Sequence, residues 1–272
     1  MKTKILPLGP HKWGILSGTA VKIIGLVLMV MDHFYQMFGS LGAPGWLYWF
    51  GRPVAVMFIF LCAEGFYYTR SPKKYLLRLL AGFLFMALGN RILSQYMPVE
   101  EIVLINNIFG TLFLAAFYMW MADLVRAGFK EKKAGKVLLA AGGILLPLVI
   151  SAILLLALNA QSHTAVLILT FIPNPLAVEG GFIYIILGLL FYLLHKYRAA
   201  QIGVVLAAAV FSWYAAGGFP NPAHVEWLMA AGAIPILLYN GKRGGGNKYF
   251  FYIFYPAHIY LFYIAAWFIR SW

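Results

Sequence analysis

Nine apolar stretches, most of them near 20 residues long, constrain this chain more than anything else in it. They fall near 17–38, 46–68, 76–97, 102–125, 137–158, 180–197, 201–217, 225–240 and 249–269. About 20 helical residues cross the roughly 30 Å hydrocarbon core of a bilayer. In lipid every backbone N–H and C=O needs an internal partner, so only helices or a closed barrel span it. These stretches are continuous runs, without the alternation of barrel strands, and they predict helices. Composition agrees: of 272 residues, 63% are hydrophobic and 11% charged, against about 45–50% and about 25% in soluble domains. A soluble globular enzyme, a disordered chain and a fibrous repeat are excluded. The expected fold is an all-α polytopic membrane protein of nine to ten transmembrane helices in a single bundle, with residues 1–272 as one membrane domain.

The net charge of +13 is explained by where the cations sit. Seventeen of the 21 Lys and Arg residues fall in five short segments: Lys2, Lys4 and Lys12, then Arg70–Arg78, Arg126–Lys136, Lys196–Arg198 and Lys242–Lys248. Segments 39–45, 94–101, 159–179 and 218–224 hold none. Cations on alternate loops place the N-terminus in the cytoplasm and, with nine spans, the C-terminus outside. They leave no need for a nucleic acid partner. The stretch 164–179 is too short to cross before Pro173 and Pro175, and reads as a half-inserted segment; a tenth span there would put His195–Arg198 on the wrong side. Gly241–Lys248 reads as a flexible basic loop and lacks the order of a phosphate-binding loop. Cys62, the one cysteine, excludes a disulfide framework and reads as packing. The first stretch, carrying Lys22, Asp32 and His33, is unlike a cleavable signal.

Ionisable groups inside a bilayer cost about 2.5–3.5 kcal/mol each on insertion scales, so each needs a reason. Lys22 and His33 are 11 positions apart. At about 100° per residue they lie about 20° from a whole number of turns, and at about 1.5 Å per residue some 16.5 Å apart along the axis. One face of the first helix therefore carries an ammonium toward the cytoplasmic side and an imidazole in the outer half. Asp32 points about 100° away, toward a different helix. Lys22 reads either as a functional cation or as a snorkelling side chain, and His33 either as a catalytic base or as a helix–helix hydrogen bond. Arg52, Asn90, Arg91, Asn106 and Asn107 are expected at similar depth, and together with Asp32 and His33 form one candidate polar pocket. Glu64 falls near the inner end of the second span. His258, near mid-depth of the last, is a second wall of the site or a satisfied histidine beside Tyr255 and Tyr260. Arg91 reads equally as an interfacial anchor, and Arg52 as a partner of Asp32.

A hydroxyl or amine attacking a thioester needs a base that titrates near operating pH, and histidine is the usual one. The developing oxyanion needs donors such as Asn or Arg. A phosphate-bearing acyl donor needs cations at the inner mouth, where Arg70, Lys73, Lys74 and Arg78 fall. A metal site is not expected, because no His/Asp cluster beyond Asp32-His33 has ligand spacing.

Several blocks in order resemble the TraX family, membrane proteins linked to N-terminal acetylation of conjugative pilin. They are Ser17–Lys22 through Met31-Asp32-His33, Gly51-Arg52-Pro53, Glu64-Gly65-Phe66, Thr69-Arg70, Lys74–Leu79, Asn106–Thr111 and Tyr252–His258. Residues 112–248 carry little of the resemblance. The Lys-x10-His spacing is also similar to an Arg/Lys-x10-His pattern of transmembrane acyltransferases. That resemblance implies Lys22 on the acetyl-CoA side of the site and His33 as the catalytic residue.

The resulting expectation is an acyltransferase of a bacterial cytoplasmic (inner) membrane. It moves acetyl from cytosolic acetyl-CoA to an amine or hydroxyl of an unknown acceptor, a peptide N-terminus, a glycan or a lipid, with membrane lipids as its surroundings. Asp32, His33 and His258 are the candidate catalytic residues. Lys22, Arg70, Lys73, Lys74 and Arg78 are candidates for donor binding. Arg52, Glu64, Asn90, Arg91, Asn106 and Asn107 are candidates for acceptor or oxyanion contacts. The alternative from another class is a proton-coupled transporter or channel using the buried charges as a relay.

Overall fold

Ser17 starts the first helix in the way its side chain dictates: its hydroxyl accepts from the Ala20 N–H at 3.2 Å, satisfying one of the donors a helix leaves open at its start. The structure, a computed structural model, describes residues 14–218, 224–246 and 248–271. Lys2, Lys4 and Lys12, on which the predicted N-terminal orientation rests, lie outside them. The α-helices are α1 (Gly18–Phe38), α2 (Arg52–Tyr67), α3 (Pro72–Tyr96), α4 (Ile108–Glu131), α5 (Ala134–Asn159), α6 (His163–Leu169), α7 (Gly181–Leu193), α8 (Arg198–Ala215), α9 (Ala233–Leu237) and α10 (Lys248–Ser271). Short 3₁₀ helices occupy Gly45–Gly51 and Glu226–Gly232. No β-strand occurs among the described residues, only a parallel bridge between Leu16 and Tyr239.

Among the described residues, seven helical segments are long and apolar enough to cross a membrane: Gly18–Leu41, Gly45–Tyr67, Pro72–Tyr96, Ile108–Glu131, Ala134–Asn159, Arg198–Ala215 and Tyr249–Ser271. The chain is a multi-pass helical membrane protein. Two stretches read as spans are shorter. The one at 180–197 holds a helix of 13 residues, about 20 Å long. The one at 225–240 holds a 3₁₀ helix running into the five-residue α9. The fourth helix begins at Ile108, not near 102. Residues 102–107 form neither helix nor strand, and the Ile105 N–H donates to the Val103 carbonyl at 3.1 Å in a tight turn; Ile102 and Leu104 are buried, Val103 and Ile105 exposed. Raw hydropathy does not separate such an irregular apolar segment from a helix.

The chain divides into two compact units, residues 1–61 with 194–272 and residues 62–193, the boundary falling inside α2. In the first unit α1 packs on α10 and on the 3₁₀ helix Gly45–Gly51, and α8 packs on the second 3₁₀ helix and on α9. The buried stripe of α1, Val21, Gly25, Met29, His33 and Met37, repeats every four residues and is the face a packed helix presents. The loop 241–246 is held in place, contrary to its reading as flexible. The Gly18 and Thr19 N–H groups donate to the carbonyls of Lys242 and Arg243 at 2.8 and 2.9 Å. Gly244 sits at φ +77°, where a side chain would be strained and would press on Ser17. At the other end Arg270 of α10 donates to the Met37 carbonyl at 3.1 Å and to Ser40 Oγ at 2.7 Å. α1 and α10 thus run in the same direction, tied at both ends. Arg198, counted among the loop cations, is buried, as is His195. The Arg198 guanidinium bonds Gln201 Oε1 at 2.8 Å and lies over the rings of Phe60 and Tyr239. Aromatic faces replace water around that cation.

In the second unit α4 is central and packs on α3, α5 and α7, while α6 packs on α5. Leu154 and Ala157 of α5 and Leu169 of α6 form one small core there. The stretch 164–179 is a seven-residue helix followed by an irregular turn through Pro173 and Pro175. Asn174, fully buried, organises that turn. Its Oδ1 accepts from the N–H groups of Leu176 and Ala177 and from Ser151, and its Nδ2 donates to the Ile172 carbonyl. Cys62 is buried here, its Sγ facing the Leu112 carbonyl.

Candidate functional site

Asp32 and His33, adjacent on α1, face two different partners. The Asp32 carboxylate lies 3.7 Å from the Arg52 guanidinium at the start of α2. Gly51 permits that approach, since a Cβ there would overlap the carboxylate. Pro53 fits beside it because the first turn of a helix does not need its N–H. Arg52 also pairs with Glu226, from the 3₁₀ helix Glu226–Gly232, and lies 4.2 Å over the Tyr48 ring. One cation thus joins four elements: α1, the 3₁₀ helices Gly45–Gly51 and Glu226–Gly232, and α2. Its Nε is buried without a hydrogen-bond partner among the described residues.

His33 turns the other way, to α10. Its Nδ1 lies 2.8 Å from His258 Nε2, the rings stacked at 5.0 Å, and both residues are buried. His258 Nδ1 lies 2.8 Å from the Phe254 carbonyl. A carbonyl oxygen only accepts, so His258 Nδ1 carries a proton. In the neutral ring Nε2 is then the acceptor, which makes His33 Nδ1 the donor and leaves His33 Nε2 as the basic nitrogen. Phe254, His258 and His33 form a directional relay. Lys22, eleven residues before His33, also faces α10, its ammonium 5.1 Å from the centre of the Phe251 ring. The two ends of the α1 face therefore meet one helix.

The other sequence-predicted residues belong to the second unit. Asn90 Nδ2 donates to the Asn106 carbonyl at 3.0 Å, and Asn107 Nδ2 to the Phe83 carbonyl at 3.0 Å. Asn106 and Asn107 precede α4 instead of lying within a span. Arg91 is exposed. Glu64 is buried in α2. Arg70, Lys73, Lys74 and Arg78 are all exposed, at the α2–α3 turn and along the first turns of α3, where Ser71 caps the helix. The seven residues read as one pocket thus divide: Asp32, His33 and Arg52 in the first unit, Asn90, Arg91, Asn106 and Asn107 in the second.

Two carboxylates were not singled out from the sequence. Glu226 completes the Arg52 cluster. Glu179 accepts from the Asn107 N–H at 3.1 Å, and its carbonyl accepts from Thr111 at 2.5 Å. The available signal was scarcity: the chain has only eight Asp and Glu residues, so one beside an apolar stretch calls for a partner. Among the described residues no group of three or more His, Cys, Asp or Glu side chains is arranged to hold a metal ion.

A multi-pass helical protein with a histidine pair and an ion cluster on its first helix is the class these features define. The family described as TraX protein matches residues 17–266, and the chain belongs to the TraX family. It is also similar to the "Probable fimbrial assembly protein FimC, serogroup H1" of Dichelobacter nodosus, 27% identical over 271 residues that cover 93% of this chain and 97% of that protein. No solved structure matches.

Proposed function

We propose that the protein is a membrane-embedded acyltransferase that uses His33 as its general base. The relay Phe254–His258–His33 carries this reading, because it fixes the tautomer that leaves His33 Nε2 basic. The acceptor's N–H or O–H gives its proton to that nitrogen as its lone pair forms a bond to the acyl carbon of a thioester. The carbon–sulfur bond then breaks, and the proton returns from His33 to the departing thiolate, so the step consumes no other reagent. His258 holds the His33 ring in that tautomer and orientation and, through Nε2, accepts from the imidazolium that forms, the part an orienting partner plays beside a catalytic histidine. The leftover Nε–H of Arg52 is a donor for the developing oxyanion, held in place by Asp32 and Glu226. Lys22 supplies positive charge on the face of α1 that His33 shares, which supports acetyl-CoA as the donor. The protein belongs in a bacterial cytoplasmic membrane with its N-terminus inside. The name of the Dichelobacter nodosus relative, a probable fimbrial assembly protein, makes the amine of a fimbrial subunit the first acceptor to try.

Membrane vesicles containing the protein, given radiolabelled acetyl-CoA, test this directly. Label should pass to a protein, glycan or lipid product, and His33→Ala should abolish the transfer while the variant inserts and purifies normally. Full label transfer by His33→Ala overturns the mechanism. Absence of transfer in the wild type, combined with proton flux in sealed liposomes, supports the transporter reading instead.

A further inference from the structure

The second unit contains a cavity of about 1260 Å³ that the acyl-transfer reading does not use. It lies where α3 ends, the irregular segment 102–107 passes, and α5 gives way to α6. Asn90 and Asn107 line it, each only 8% exposed. Both commit Nδ2 to a backbone carbonyl. Both leave Oδ1 buried and without a hydrogen-bond partner among the described residues. A buried acceptor left unmade is costly, and two of them in side chains that line one cavity call for a ligand that brings donors. Arg91, next to Asn90 and also lining the cavity, adds an exposed cation. The rim is different in kind: Val103, Ile105, Leu158 and Leu167 line the same cavity with exposed alkyl surface.

Depth agrees with this ordering. Asn90 and Arg91 are five or six residues from the end of a span-length helix, about 8–9 Å along its axis, at the level where head groups meet acyl chains. We propose that this cavity binds the head group of a phospholipid that carries hydrogen-bond donors beyond its phosphate. The phosphate pairs with Arg91, the N–H or O–H donors satisfy Asn90 Oδ1 and Asn107 Oδ1, and the acyl chains leave over the apolar rim. An ammonium and a polyol head group share this donor chemistry. The inference goes beyond the acyl-transfer reading and stands without it.

The test is binding to the resting full-length protein in detergent, with no acyl donor present, so its result is separate from that of turnover. Native mass spectrometry titrates phosphatidylethanolamine, phosphatidylglycerol and phosphatidylcholine of matched chains. Phosphatidylcholine keeps the phosphate and lacks the donors. One of the first two should bind about tenfold more tightly than phosphatidylcholine, the effect of one well-made hydrogen bond, and which one wins separates ammonium from hydroxyl. Asn90→Leu should erase that preference, and Arg91→Gln should weaken all three lipids alike. Equal binding of all three lipids to the wild type overturns the proposal without any variant. A preference that persists in both Asn90→Leu and Asn107→Leu also overturns it.

Discussion

The two units hold their polar residues in opposite ways. In the first, side chain meets side chain across long sequence distances: His33 with His258, and Arg52 with Asp32 and Glu226. In the second, neutral amides and hydroxyls mostly meet backbone carbonyls: Asn90 with Asn106, Asn107 with Phe83, Thr111 with Glu179. Removing one partner in the first strands a charge or an imidazole. Removing one in the second frees a carbonyl. The lesson is that buried polarity is not one category. Groups paired with each other have their protons fixed and can do chemistry, whereas groups paired with backbone hold turns and leave acceptors over for a ligand.

This contrast can be broken in order of expected effect. His258→Phe should lower kcat for acyl transfer by about 100-fold, in the range of general-base contributions, with the KM for acetyl-CoA unchanged. His258→Gln, whose carbonyl can accept from His33 Nδ1, should recover part of the rate, and a fully active His258→Phe would remove the relay. Arg52→Ala should cost about 1.5–3 kcal/mol, the scale of hydrogen bonds to charged groups. It would be read as a fall in thermal stability in detergent, and adding Glu226→Gln should return some of the loss. Gly51→Ala should destabilise by about 1–3 kcal/mol through overpacking against Asp32, measurable by the same melt. Thr111→Val, in the second unit, should cost about 1 kcal/mol, one neutral hydrogen bond to a backbone carbonyl. A larger loss there than for Arg52→Ala would reverse the comparison.

The helical membrane class was legible because a bilayer admits so few backbones. The shared face of Lys22 and His33 was legible from their spacing, and so was the separate direction of Asp32, since helix geometry is local. The lengths of the segments at 180–197 and 225–240 were not, because hydropathy counts apolar residues without asking how they hydrogen-bond. Pro235, in the short α9, sits in an apolar run, and so do the irregular residues Ile102–Ile105. The partner of Asp32 in sequence terms lay 20 residues away, but Glu226 and His258 reach their partners across most of the chain, and no local pattern encodes such a meeting. Arg198 misled for a related reason: a cation beside an apolar stretch looks the same whether water or the rings of Phe60 and Tyr239 surround it.

The loop carbonyls that finish the start of α1 come from residues made 224 positions later. At about 5–20 residues per second of translation, that is a delay of some 10–45 s. The first span therefore enters the bilayer with its leading amide groups still waiting, and is completed only when residues 242 and 243 have left the ribosome.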